Sequence, residues 1–142
     1  FGSIQAPDVE VENEYGGYLA TQHLLERGHT RIGIITGPMG RPHNRLYGYI
    51  KALQDSGIPF DTDLVEDGDF RLESGFKGAR RLVEKKVSAI FACNDLMAYG
   101  VMQLAMENGI AIPSELAIVG YDDLAFSRLM PIPLTTISQP AF

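Results

Sequence analysis

The chain predicts an α/β fold, a parallel sheet with helices on both faces, and three observations carry that prediction. Short unbroken apolar runs, "RIGIITG", "SAIFAC" and "LAIVG", read as strands buried on both sides. Between them lie longer stretches whose apolar residues recur at helical spacing. The two patterns alternate along the chain, an order that requires crossover connections and therefore parallel strands.

The elements follow in order. Residues 12–27, "ENEYGGYLATQHLLER", read as a helix with Tyr15, Tyr18, Leu19, Leu24 and Leu25 apolar, stopped at Gly28. "TRIGIITG" is a buried strand ending in a glycine turn. "HNRLYGYIKALQDSG" is a helix stopped by Gly57, and "DLVEDGDF" a weaker strand. "LESGFKGARRLVEKK" is a helix whose basic last turn suits its dipole. "VSAIFACN" is a strand, and "DLMAYGVMQLAMENG" a helix capped by Asn94 or Asp95. "LAIVGYD" and "LTTISQ" are the last strands.

Composition bounds the function classes. The chain has 142 residues, enough for one core, with 45% apolar and 21% charged residues. A net charge of −6 argues against this segment gripping nucleic acid, which needs a basic face. No apolar run is long enough to span a membrane, and no signal peptide is visible. The chain starts at Phe1, as a piece cut from a longer protein would. The single cysteine, Cys93, makes no internal disulfide, which fits a reducing compartment. The three histidines lack metal-ligand spacing, and neither a nucleophile elbow nor a phosphate-binding loop is present. No cofactor, metal or catalytic residue is expected.

In such a fold ligands bind beyond the carboxyl ends of the strands, where the strand order switches. Each strand is followed there by polar residues: Arg41, His43, Asn44 and Arg45; Asp69 and Phe70; Asn94 and Asp95; Tyr121, Asp122 and Asp123; and Gln139. Carboxylates accept from hydroxyls, arginine donates in a fork, and amides do both, so the set suits a polyol. Phe70 offers a face to a sugar ring. Arg41, His43 and Arg45 lie close together, which also admits a phosphorylated sugar. Each residue has a plainer reading. Asn94 and Asp95 cap a helix, Arg45 is solvated, Phe70 is core, and one of Asp122 and Asp123 braces its own loop. Their joint placement on one edge is the signal.

Several segments resemble the lactose- and galactose-repressor family of bacterial transcription regulators. They are "VENEYGGYLATQHLLERGHTRIGIITGP", "RLYGYIKALQDSGI", "AIFACNDLMAYGVMQLAMENGIAIPSELAIVGYDD" and "PIPLTTISQP". The resemblance covers about residues 9–140, and "IPSELAIVGYDD" followed by "PLTTISQP" is its most specific part. It implies the C-terminal lobe of a two-lobed, periplasmic-binding-protein-like core of flavodoxin-like winding, residues 1–142 being one lobe. Residues 1–11 and 135–142 are then hinge or crossover segments, with "SIQAPDVEVE" an incoming strand. It further implies that Arg45 clamps effector oxygens, Phe70 packs on the effector ring, and Asn94 and Asp122 hydrogen-bond to it. Asn13, Arg41 and Gln139 complete the expected ligand set. The chain departs from the family's Val-Asp-Asn at Glu12 and lacks a charged residue within Phe1-Gly2-Ser3.

The resulting expectation is the effector-sensing domain of a cytoplasmic transcriptional repressor, binding a sugar or sugar-like metabolite between two lobes. Its partners would be a second copy of the chain and operator DNA, the latter gripped by an N-terminal headpiece absent from this chain. The helix from Asp95 is apolar nearly all round, and "LAFSRLMPIP" is an apolar loop. Such apolar patches mark interfaces, and the resemblance implies a two-fold dimer, with Met97, Tyr99, Met102, Phe126 and Met130 expected at its contact. Two rivals stand beside this reading. A lobe of a periplasmic sugar-uptake protein would follow a signal peptide; a small flavodoxin-like enzyme or phospho-receiver would need an acidic cluster that "IITGPMG" does not supply.

Overall fold

A computed structural model describes residues 6–38, 44–122 and 135–138, with side chains for those of residues 14–38 and 44–121. Helix α1 (Ala6–Glu26) precedes β1 (Ile32–Thr36), α2 (Asn44–Asp55), β2 (Val65–Asp67), α3 (Leu72–Glu84), β3 (Ala89–Ala92), α4 (Asp95–Glu107), β4 (Ala117–Asp122) and β5 (Thr135–Ser138). One five-stranded sheet forms in the order β2-β1-β3-β4-β5, and every pair is parallel. Ile34 sits in register with Val65 on one side and Phe91 on the other; Phe91 is level with Val119.

The unbroken apolar runs are explained by burial on both faces. All of β1 and all of β3 are buried. Helices α1 and α2 pair on one face, α3 and α4 on the other, as right-handed crossovers demand when the order reverses between β1 and β3. Each helix pair meets through glycine. A Cβ on Gly48 would overlap the Glu14 carbonyl, and one on Gly100 would overlap the Leu72 carbonyl, so only glycine lets the backbones approach this closely.

Helices α1, α2 and α4 give way to left-handed glycines at 28, 57 and 109, with φ of 94°, 73° and 68°. Helix α3 ends instead on Lys86, φ 67°, whose N–H bonds to the Val83 carbonyl. Two expectations are corrected. Residues 6–11, expected as an incoming strand, are helical. Pro7 falls in the first turn, where its missing N–H costs nothing. The strand in "DLVEDGDF" shrinks to Val65–Asp67, because Asp61 caps a short 3-10 turn over Thr62–Leu64 first.

Candidate functional site

The strand order reverses between β1 and β3, so the crevice for a ligand opens at the carboxyl ends of those two strands. Arg45 lies across it. It is the second residue of α2, after β1, and its Nη1 donates to the carbonyl of Cys93, just past β3, at 2.5 Å. Its guanidinium also stacks on the ring of Tyr121 in β4, 3.9 Å from the centroid. A cation at a helix N-terminus opposes the dipole. The ring and the carbonyl offset that cost, so the solvated-surface reading of Arg45 does not describe it.

Phe70 and Asn94 form the second part. Phe70 is half-buried, and its ring occupies the space a Cβ on Gly37 would take, at the end of β1. Its backbone is left-handed, φ 69°, which is costly for a bulky side chain and persists only where neighbours over-determine it. Those neighbours are visible. Asn94 Nδ2 donates to the Phe70 carbonyl at 2.9 Å, Asp69 Oδ1 accepts from the Arg71 N–H, and Ser74 Oγ accepts from the Asp69 N–H. The Arg71 N–H above all, and the Ser74 hydroxyl after it, hold the Asp69 carboxyl below its ordinary pKa. Asn94 Oδ1 meanwhile accepts from the Met97 N–H, capping α4. Of the two caps expected, Asn94 is therefore the one. Its amide retains one hydrogen and one lone pair beyond these contacts.

Asp122 closes β4 and is in register with Ser138 of β5, at the same edge of the sheet. Asn13 lies in α1. The side chains of both lie outside the described residues, as do Arg41, Gln139, Phe126 and Met130 altogether. Beside the switch point, over the end of β2, runs an open groove of about 350 Å³ lined by Asp67, Asp69, Arg71, Glu73 and Lys77 among others. It holds neither Arg45 nor Asn94, and within it Glu73 pairs with Lys77 at 3.1 Å.

Cys93 offers no nucleophile. Its thiol is buried, and burial pushes its pKa up to about 12 against the lowering effect of Arg45. Among the described residues no group of three or more His, Cys, Asp or Glu is placed to hold a metal.

The expected interface residues on α4 need correction. Met97, Tyr99 and Met102 are 0%, 7% and 2% exposed and belong to the core of this chain. The helix looked apolar all round because both β4 and α3 cover it. The large apolar residues it leaves exposed are Leu96 and Met106.

Tyr121 and the adjacent Gly16 and Gly17 have a role that only their packing reveals. A Cβ on Gly16 would strike the Tyr121 ring, and one on Gly17 the Arg45 backbone. The signal was present: two consecutive glycines inside a helix each sacrifice about 1 kcal/mol relative to alanine, which asks for a packing reason.

The family profile described as "Periplasmic binding protein-like domain" matches residues 21–141. The chain is 41% identical over 137 residues to the HTH-type transcriptional repressor PurR of Actinobacillus pleuropneumoniae serotype 3 (strain JL03), covering 93% of this chain and 41% of that protein. Among solved structures, the transcriptional regulator CelR–cellobiose complex superposes with a TM-score of 0.85 at 38% identity, covering 91% of this chain and 41% of that one. A LacI family transcriptional regulator from Enterococcus faecium with bound ribose gives 0.84 at 33% identity, covering 91% and 49%. The chain thus spans less than half the length of these relatives.

Proposed function

The chain belongs to the family of periplasmic-binding-protein-like domains, the kind carried by LacI-family transcriptional regulators, and from this premise we propose that it is one lobe of the effector sensor of a transcriptional repressor. The effector is a sugar or sugar-like metabolite held between this lobe and another. The observation that carries the reading is the convergence at the switch point: Arg45 bridges from α2 to the carbonyl after β3, with Phe70 and Asn94 tied together beside it. Arg45 presents a fork to paired oxygens, Phe70 a ring face, and Asn94 and Asp122 hydrogen-bonding groups. Asn13, Arg41 and Gln139 complete the set in this reading.

No bond is made or broken. The effector favours one closure of the two lobes by binding it more tightly, and a homodimer passes that change to a headpiece on operator DNA. The hinge or crossover segments to the other lobe fall within residues 1–11 and 135–142. The protein works in the cytoplasm, beside its DNA. The relatives named above are transcription regulators, which supports this reading over that of a sugar-uptake protein.

The test is calorimetric titration of a protein carrying both lobes with ribose, cellobiose and their phosphates, in the wild type and in Arg45→Lys. An ammonium cannot reproduce the fork, so binding of the cognate sugar falls about tenfold or more. Equal binding by both proteins removes Arg45 from the site. The chain alone, supplying one wall, binds free sugars no tighter than about millimolar, roughly −4 kcal/mol.

A further inference from the structure

We propose that Tyr121 is a positioning residue: it holds the Arg45 guanidinium flat at the carboxyl edge of the sheet before any effector arrives, and Gly16 and Gly17 form the seat that lets it do so. The proposal rests on the reading of Arg45 as an effector-binding group and adds what prepares that group.

Two contacts fix an arginine fork. Stacking sets the plane, and one hydrogen bond sets the rotation within it. Arg45 has both, the Tyr121 ring at 3.9 Å and the Cys93 carbonyl at 2.5 Å. The ring is itself held in place: Tyr121 is 2% exposed and sits in the penultimate position of β4, in register with Ile137 of β5. It touches α1 where Gly16 has no side chain, and α2 comes down onto α1 where Gly17 has none. Any larger residue at 16 displaces the ring, and any at 17 displaces the Arg45 backbone. Arginine otherwise surrenders much rotamer freedom when it binds a ligand. Ordering it in advance moves that cost from binding to folding, which is how preorganisation raises affinity.

The experiment is side-chain NMR on this chain, with titration of the two-lobed protein as a second arm. The Arg45 Nε–Hε signal, assigned by its loss in Arg45→Lys, is expected upfield of the other arginines because it lies over the ring. Tyr121→Phe keeps the ring and the shift. Tyr121→Leu, or Tyr121→Met should the leucine variant not fold, loses it and returns the signal to the common envelope. An Arg45 signal unshifted in the wild type, or still shifted without the ring, overturns the proposal whether or not any sugar binds. In titrations with ribose and cellobiose, the sugar that binds the wild type binds Tyr121→Leu about tenfold more weakly, the scale of a desolvated cation–π contact, and Tyr121→Phe almost normally. Phenylalanine also restores the core volume, so the binding result supports positioning only together with the ring-dependent Arg45 signal. A ring-dependent signal together with normal sugar binding by Arg45→Lys would refute the effector reading alone and leave the positioning intact. Equal binding by the leucine and wild-type proteins, with Arg45→Lys impaired, would refute the positioning role alone.

Discussion

Asn94 and Phe70 are joined by a single hydrogen bond, from the Asn94 side-chain amide to the Phe70 carbonyl at 2.9 Å, while the oxygen of the same amide caps α4. One side chain thus fixes both the start of a helix and the left-handed turn that presents an aromatic ring. Asn94→Ala loses the cap, about 1 kcal/mol, and the tether, about as much again. Asn94→Asp keeps the capping oxygen and places a charge well for the dipole, so it loses only the tether, about 1 kcal/mol. Urea unfolding of the two variants distinguishes them. Equal losses would mean that the cap contributes nothing, and an Asn94→Asp variant as stable as the wild type would mean that the bond to Phe70 contributes nothing.

The left-handed backbone at Phe70 reverses the usual order of substitutions. Asparagine tolerates positive φ, whereas a β-branched side chain does not. Phe70→Val is therefore expected to be less stable than Phe70→Asn by about 1 kcal/mol, although valine is the more apolar replacement. Thermal unfolding measures the order. The opposite ranking would show that ring burial, not backbone conformation, governs this position.

Helix propensity alone would make Gly100→Ala stabilising by about 1 kcal/mol. The structure reverses the sign, because the added methyl meets the Leu72 carbonyl and the Phe76 N–H across the α3–α4 contact. Backbone cannot step aside as a flexible side chain can, so the variant loses about 2 kcal/mol by overpacking. A melting temperature at or above that of the wild type would place the helices further apart than described.

Burial of Tyr99 decides what a charge there does. Tyr99→Asp puts a carboxylate into the core and destabilises the chain by about 4 kcal/mol or more, far beyond a surface effect. Met106, on the same helix and 60% exposed, accepts aspartate within about 0.5 kcal/mol. Circular dichroism and urea titration compare the two. A folded Tyr99→Asp that sediments as a smaller species than the wild type would return Tyr99 to an interface.

The sequence by itself determined the strand-and-helix alternation, the glycines ending α1 and α2, and the edge on which polar residues gather. These are local properties: an unbroken apolar run, a periodicity of helical length and a left-handed glycine depend on near neighbours in the chain. It also placed Arg45, Phe70 and Asn94 at that edge, because a residue following a parallel strand has no other place to go. Tertiary structure alone decided what each of them touches. Whether Arg45 meets solvent or the Tyr121 ring depends on how closely α1 approaches β4 and α2, a distance set by Gly16 and Gly17 from far away in the chain. Whether α4 shows its apolar residues or hides them depends on α3 covering its second face, and Met97, Tyr99 and Met102 pass from an expected surface into the core for that reason. Period and propensity describe one element at a time; the covering of a face is a property of two elements, and only their packing reveals it.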